Sequence, residues 1–140
     1  MPMSSENLLY VLDSFAMLAF LGGETGMEQV KDVLRLAAEN RCKVIMSLIN
    51  LGEVLYITER EVGLAQAQAA LAVIEQLPLE LIPVMQKEVL AAAHLKANYR
   101  ISYADAFAIA TAVEYNGTIL TGDPEFETVE KFVSVEWLKR

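Results

Sequence analysis

Four acidic residues lie where apolar runs of the chain end or give way to helical segments, and their side chains are of the type that binds metal ions. They are Asp13 in YVLDSF, Glu53 in NLGEVLY, Asp105 in ISYADAFAIATA and Asp123 in TILTGDPEF. A carboxylate among core side chains is unfavourable unless a positive charge compensates it. Carboxylate oxygens suit Mg²⁺ or Mn²⁺. If the four side chains converge, they predict a divalent-metal site, which could generate hydroxide and hold a phosphodiester for in-line attack.

Three of these acids also have a structural explanation as residues that cap helices. Asp13 ends a run of five apolar residues, and the N-cap role and the ligand role explain it about equally well. Asp123 precedes Pro124, which favours the first helical position, so capping is the better explanation for Asp123 taken alone. Ser102 and Asp105 fit a capping box. Because Asp105 also leads an apolar helical stripe, its two roles are compatible.

Glu53 is the most informative of the four because it lies on the apolar side of a predicted helix. Its apolar neighbours at three and four residues along the helix are Ile49, Tyr56 and Ile57. A purely structural glutamate more often lies on the solvated face, although a salt bridge with Arg60 or another cation is an alternative. The preceding Gly52 weakens the helix by about 1 kcal/mol relative to Ala. We expect another backbone to approach closely at Gly52.

The rest of the sequence excludes several other kinds of chemistry. His94 is the only histidine, so a mechanism that needs two histidines is excluded. The sequence contains neither a GxxxxGK[ST] loop nor a GxGxxG turn, so a nucleotide-driven or dehydrogenase function is unsupported. Ser14 and Thr121 are the candidate nucleophiles near the predicted site. We assign both to steadying carboxylates or water.

Strand-like apolar runs alternate with helical segments, which predicts an α/β fold. The predicted strands are residues 8–12, 43–47, 79–84, 118–121 and 132–137. The predicted helices are residues 25–40, 48–62, 64–77, 86–98 and 103–115, with a short one near 125–131. This order implies a mostly parallel sheet covered on both sides, with ligands outside the carboxyl ends of its strands. Asp13 and Asp123 fall at such ends.

The length of 140 residues predicts one domain, spanning residues 1–140. The single cysteine, Cys42, cannot form an intrachain disulfide, and we expect it to be a small apolar filler. Residues 8–21 are the only candidate for a membrane or targeting segment, but they are too short to span and Asp13 interrupts them. The preceding MPMSSEN lacks the basic residues of a signal peptide. A cytoplasmic protein without membrane association is therefore predicted.

The net charge of −8 argues against binding nucleic acid, because phosphate contacts usually need basic side chains. The four candidate ligands account for half of that net charge. Bound cations would reverse the local field whatever the formal total. The acidic balance therefore predicts weak RNA binding without metal but does not exclude metal-dependent chemistry on RNA.

The segments VLDSF, NLGEVLY, SYADAFAIATA and LTGDPEF together resemble PIN-domain ribonucleases, specifically the VapC-like toxins of toxin–antitoxin pairs. They occur in the family's order, and the similarity runs over nearly the whole chain. The resemblance implies a three-layer α/β/α sandwich, Mg²⁺- or Mn²⁺-dependent endoribonuclease activity, a homodimer and a cognate antitoxin. It assigns the acidic ligands to Asp13, Glu53, Asp105 and Asp123. Arg100, just before SYAD, is our candidate for a contact with substrate phosphate.

Two hypotheses from other functional classes remain. A receiver-like signalling domain also sets acids at strand ends, but it needs paired acids after the first strand, an Asp after the third and a late Lys. Asp13 has no adjacent acid, Val84 and Met85 follow the third strand, and no Lys closely follows TILTGD. The other alternative is a non-catalytic interaction module in which the four acids only cap helices. Metal titration separates this alternative from the enzyme.

Overall fold

The computed structural model describes residues 8–139, which form a five-stranded parallel sheet between two layers of helices. The strands are β1 (Leu9–Leu12), β2 (Lys43–Ser47), β3 (Glu80–Ile82), β4 (Thr118–Thr121) and β5 (Ser134–Trp137). Their spatial order is β3-β2-β1-β4-β5, and all four pairings are parallel. The predicted parallel sheet is confirmed, with β3 and β5 shorter than the apolar runs that predicted them.

Six α-helices and one 3₁₀ helix connect the strands within the described residues. They are α1 (Ser14–Gly22), α2 (Met27–Ala38), α3 (Leu48–Val62), α4 (Leu64–Gln76), α5 (Gln86–Asn98), α6 (Tyr103–Tyr115) and the 3₁₀ helix Pro124–Val129. Helices α3, α5 and α6 begin and end at the residues that the apolar periodicity and caps predict. The helical hairpin predicted around Gly63 is formed by α3 and α4.

The sheet separates two apolar cores because successive side chains of a strand point to opposite faces. Val11, Ile45 and Ile119 enter the core shared with α5, α6 and the 3₁₀ helix. Leu12, Met46 and Leu120 enter the core shared with helices α1 to α4. All six of these strand residues are buried. A strand that is apolar on both faces requires cover on both faces, and this confirms the three-layer α/β/α sandwich.

Helix α1 is the one helix that the sequence did not predict. Its residues are almost all apolar, so no polar face shows the helical period. Asp13 begins the helix as its N-cap, and Gly23 ends it in the left-handed conformation at φ 63°. The described residues contain no helix long and apolar enough to cross a membrane. The prediction that the chain has no signal peptide was based on the segment MPMSSEN, which lies outside the described residues.

Two expectations about single residues have different outcomes. Cys42 is buried beside β2 as expected. The expectation of a close backbone contact at Gly52 is wrong, because a Cβ at this exposed position would meet no atom within 4 Å. The buried apolar residues of α3 are Leu51 and Val54.

The strand order places a crevice between β1 and β4. The chain adds β2 and β3 on one side of β1 and then crosses to add β4 and β5 on the other side. Ligands of open parallel sheets bind at such a switch point, outside the carboxyl ends of the strands. Receiver domains instead have the order 2-1-3-4-5, so the topology argues against the receiver-like alternative.

Candidate metal centre

Asp13 lies directly after β1, and its carboxylate is fully buried. One oxygen, Oδ1, accepts a hydrogen bond from the Ala16 backbone N–H at 2.8 Å, which caps α1. The other oxygen, Oδ2, accepts a hydrogen bond from the Thr121 hydroxyl. The register of β1 against β4 pairs Leu12 with Leu120 and so places Thr121 beside Asp13. Asp13 is therefore a helix cap and also part of the switch-point crevice.

Burial raises the pKa of Asp13 to about 7, because it disfavours the charged form. The hydrogen bonds from Thr121 and Ala16 lower the pKa, whereas the negative charges of Asp123 and Glu53 raise it further. These charge effects show that Asp123 and Glu53 lie close enough to Asp13 to interact with it. A cation at this point would relieve both the burial cost and the repulsion.

Asp105 occupies the first turn of α6 and is also buried. Its backbone N–H donates to the Ser102 hydroxyl at 3.1 Å, as the capping box predicts. Its Oδ2 atom is buried and has no hydrogen-bond partner among residues 8–139. Burial is the largest cause that raises the pKa of Asp105. A hydrogen bond to Glu125 and the negative charge of Asp123 raise this pKa further. Only the protonated carboxyl of Asp105 can donate that hydrogen bond. Asp105 therefore needs either a proton or a cation.

Asp123 and Glu125 complete the closest group of acids. One oxygen each from Asp105, Asp123 and Glu125 lie within 4.8 Å of one another. Asp123 caps the 3₁₀ helix by accepting from the Glu125 N–H at 2.9 Å, and its own N–H donates to the Thr121 hydroxyl at 3.0 Å. Glu125 Oε1 accepts from the Ser102 N–H at 3.0 Å, which joins this turn to the start of α6.

Glu125 is a site residue that the sequence reasoning did not include. Its only signal in the sequence was an acid in the first turn of the short helix that follows Asp123. The hydrogen bond from Asp105 lowers the pKa of Glu125, and Lys96 of α5 lowers it further. Glu125 thus stays charged beside the protonated or cation-bound form of Asp105.

Glu53 lies on α3, half-buried, at the edge of the acidic group. It acts on Asp13 through its charge, but it does not belong to the closest group of three. In the part of the chain that the structure describes, Glu53 forms no salt bridge. The Arg60 guanidinium instead lies over the Tyr56 ring, 5.6 Å from its centroid. The salt-bridge alternative for Glu53 is therefore not found.

Ser14 and Thr121 have different surroundings. Thr121 donates to Asp13 and accepts from the Asp123 N–H, so it holds two of the predicted ligands together. The Ser14 hydroxyl donates to the Asn50 carbonyl at 3.3 Å. Asn50, one helical turn before Glu53, was not singled out in the sequence, although a polar residue on an apolar helical stripe was a usable signal.

Three cations are candidates for a place beside the acidic group. Arg100 is exposed in the bend before Ser102, and its contact with phosphate stays a prediction. Lys96 acts electrostatically on Glu125, and Lys139 lines a groove beside Pro124. His94 is exposed on α5.

The residues at this edge fit a hard divalent cation. Their donors are carboxylate oxygens, which Mg²⁺ and Mn²⁺ prefer. Burial and crowding raise the pKa of Asp13 and of Asp105, and Asp105 Oδ2 is buried without a donor. Helix capping explains one oxygen of Asp13 and one of Asp123, but it does not explain why the acids converge.

Comparison with known families identifies the class of protein. The family model described as the PIN domain matches residues 10–132. The chain therefore belongs to the PIN-domain family, as the sequence motifs predicted. A comparison with curated protein sequences finds no match.

Several solved structures share the fold. A structure of VapBC2 from Rickettsia felis, bound to a DNA fragment from its promoter, is 20% identical, with 94% of this chain and 100% of that chain covered and a TM-score of 0.76. DNA-bound VapBC from Salmonella typhimurium is 14% identical, with 94% and 98% covered and a TM-score of 0.73. VapC20 from Mycobacterium tuberculosis, described as a sarcin-ricin loop cleaving toxin, is 20% identical, with 86% and 94% covered and a TM-score of 0.70.

Proposed function

We propose that the protein is a metal-dependent endoribonuclease that hydrolyses phosphodiester bonds of RNA. The observation that supports this best is the convergence of acids at the switch point, with Asp105 Oδ2 buried and without a donor among residues 8–139. We assign Asp13, Glu53, Asp105 and Asp123 as ligands of Mg²⁺ or Mn²⁺, and we add Glu125 to this set. Membership of the PIN-domain family supports a nuclease.

The chain's own residues prepare the site for this chemistry. When bound, a divalent cation supplies hydroxide near neutral pH and charge to balance a phosphodiester. Thr121 holds the Asp13 carboxylate and the Asp123 backbone in a fixed relation. Burial around Asp13 and Asp105 removes competing water and strengthens electrostatic interactions at these oxygens. Lys96 and Arg100 are the cations that we assign to the phosphates of the RNA beside the site.

We further propose that the protein is the toxin of a toxin–antitoxin pair. The structures of similar fold come from VapBC complexes and from the toxin VapC20. A groove of about 930 Å³ beside the acidic site is lined by apolar Phe15, Leu18 and Ile57 and by acidic Glu24 and Glu61. Apolar walls with acidic residues suit a basic or arginine-bearing segment of an antitoxin. Such a segment would compete with metal and RNA together.

A homodimer and a cytoplasmic location belong to the same proposal. An apolar groove of about 550 Å³ runs between α5 and α6, where Leu95, Val113 and Phe132 contribute to its lining. Leu90 of α5 and Met85, the N-cap of that helix, are largely exposed. A second copy of the chain could cover this surface. Light scattering of the purified protein measures the mass that distinguishes monomer from dimer.

The test of the enzymatic proposal is metal-dependent cleavage of RNA. Purified protein is incubated with RNA and Mn²⁺ or with EDTA, and the 5′ ends of the products are sequenced. We expect cleavage at defined positions with metal and none with EDTA. Asp123→Asn should reduce the rate at least about 100-fold, because the charge stabilisation that a bound cation gives the transition state is worth several kcal/mol.

The matched control is Glu75→Gln, which removes one exposed acid on α4 outside the acidic group. It should cut RNA at the wild-type rate. If neither Mn²⁺ nor Mg²⁺ binds to the folded wild-type protein, the acids are only helix caps and the interaction-module alternative is correct.

A further inference from the structure

Asn50 is a fully buried polar side chain of α3 whose hydrogen bonds reach two other helices. Its Nδ2 atom donates to the Ala104 backbone carbonyl of α6 at 3.1 Å and to the Ser14 hydroxyl of α1 at 3.4 Å. The Ser14 hydroxyl in turn donates to the Asn50 backbone carbonyl at 3.3 Å. One side chain of α3 therefore joins the starts of α1 and α6, which are 36 and 54 residues away in sequence.

Each residue of this junction adjoins one of the proposed metal ligands. Ser14 follows Asp13, Ala104 precedes Asp105, and Asn50 lies one helical turn before Glu53. Asp13, Glu53 and Asp105 come from three separate segments, so no local structure sets the distances between them. The hydrogen bonds of Asn50 hold those three segments together within one to three residues of the acids in sequence.

The orientation of the amide follows from its partners. Its NH₂ group must face the Ala104 carbonyl, because the reversed amide would place two acceptors against each other. Its Oδ1 atom is then buried without a hydrogen-bond partner. Across residues 8–139, the only other buried side-chain atom in this condition is Asp105 Oδ2. A buried acceptor without a donor is unfavourable for folding, so an apolar side chain of similar size would offset the loss of the two donated hydrogen bonds by removing that acceptor.

We infer that Asn50 is a positioning residue that sets the spacing of Asp13, Glu53 and Asp105 for the divalent cation. This inference rests on the proposed function, because it concerns the metal affinity of the same site. Residues that hold metal ligands in place typically contribute about 10- to 100-fold to metal affinity or activity. Asn50 contributes in this way through Ser14 and Ala104 and does not itself contact substrate.

The test compares Mn²⁺ binding by wild-type protein and Asn50→Leu, measured by calorimetry on the full chain. Leucine has a similar size but removes both hydrogen bonds. We expect the Kd for Mn²⁺ to rise roughly 10- to 100-fold, while the metal-free melting temperature stays equal or rises. At saturating Mn²⁺, kcat for RNA cleavage should fall with little change in KM. A purely structural residue would instead lower the melting temperature and leave the Kd of the folded protein unchanged.

Thr111→Val is the matched control. Thr111 is buried in α6 and donates to the Phe107 carbonyl at 2.8 Å, away from the acids, so its loss removes a buried hydrogen bond without changing the ligands. Its Kd for Mn²⁺ should equal that of the wild-type protein. Asn50→Ser keeps one donor and should give an intermediate Kd, and it decides the question if Asn50→Leu does not fold.

Three results would overturn the inference. A Kd within twofold of wild type in folded Asn50→Leu shows that the junction does not position the ligands. If Asn50→Leu fails to fold, a Kd within twofold of wild type in Asn50→Ser leads to the same conclusion. Absence of Mn²⁺ binding by the folded wild-type protein removes the proposed function itself, and that outcome is distinguishable because it precedes any comparison of variants.

Discussion

Asp13 shows at the scale of one residue how capping and metal binding can share a carboxylate. One oxygen caps α1, and the other is held by Thr121 at the switch point. Burial and the charges of Asp123 and Glu53 make its negative charge unfavourable unless a cation is present. The capping explanation and the ligand explanation of Asp13 are therefore compatible, and experiments must separate the two roles.

We expect Asp13→Asn to abolish RNA cleavage while leaving the fold intact or more stable. Asparagine keeps the shape and can still accept a hydrogen bond from Ala16, but it removes the buried charge and its repulsion. Cleavage should fall at least about 100-fold, and the metal-free melting temperature should stay equal or rise. Thermal unfolding and a cleavage assay measure both effects. Wild-type cleavage would make Asp13 a cap alone, and an unfolded variant would show that the native structure depends on its charge.

The stability of the metal-free protein should fall as pH rises from about 5 to 8. The pKa of Asp13 is about 7 in the folded chain against 3.8 as its ordinary value, so the unfolded chain loses this proton at lower pH. The contribution of Asp13 to the free energy of unfolding is therefore fully present below pH 4 and is lost as pH rises through 7. Its size for Asp13 is on the order of 4 kcal/mol. Urea unfolding at a series of pH values measures the slope.

Saturating Mn²⁺ should remove or reverse this pH dependence, because the cation binds the deprotonated carboxylates of the native state. Asp13→Asn provides the control, since it should flatten the metal-free slope without any metal. A metal-free stability that rises between pH 5 and 8 would contradict the raised pKa of Asp13.

At the scale of the element, α3 contains a glycine that its structure does not require. Gly52 is helical and exposed, with no atom near its missing side chain. We expect Gly52→Ala to stabilise the protein by about 0.5–1 kcal/mol, because alanine favours the helix. Chemical denaturation measures the change.

Gly63 is the matched control on the same hairpin. It is equally exposed and equally open, but its φ of 97° and ψ of 164° lie in a region that only glycine adopts readily. Gly63→Ala should therefore destabilise by about 1–3 kcal/mol. If both substitutions change the free energy of unfolding equally, the backbone conformation does not decide whether a Gly→Ala change stabilises or destabilises the protein.

At the scale of the whole molecule, the net charge of −8 limits how the protein can bind RNA. Lys96 acts on Glu125 through its charge, and Arg100 lies two residues before Ser102, which contacts Glu125. Each phosphate contact on a single strand contributes roughly 0.7 to the slope of log K against log salt. We expect the Asp13→Asn form to bind RNA weakly, with a slope of magnitude about 2 or less. Binding across a salt series with and without Mg²⁺ measures this.

Arg100→Ala should reduce that slope by roughly one phosphate contact. Arg35→Ala is its control, because Arg35 pairs with Asp32 on α2, away from the site. Tight binding without metal and with a steep salt slope would contradict this expectation and would indicate a basic surface elsewhere on the protein.

The sequence by itself determined the order of the strands and of every helix except α1, and it selected the four candidate ligands. These follow from short-range patterns, because apolar periodicity, caps and chain breaks act over a few residues. Helix α1 was missed for the same reason, since an almost wholly apolar segment shows no period. The motifs also determined the PIN-domain family, because they preserve the family's acids in order.

Only the tertiary structure decided how these elements come together. The strand order, the closeness of Asp105, Asp123 and Glu125, and the junction at Asn50 depend on contacts between residues far apart in sequence. Local patterns contain no measure of such distances. For this reason the close backbone contact that they predicted at Gly52 is wrong. Burial likewise depends on the assembled layers, so the raised pKa values of Asp13 and Asp105 arise only when both cores close around the sheet.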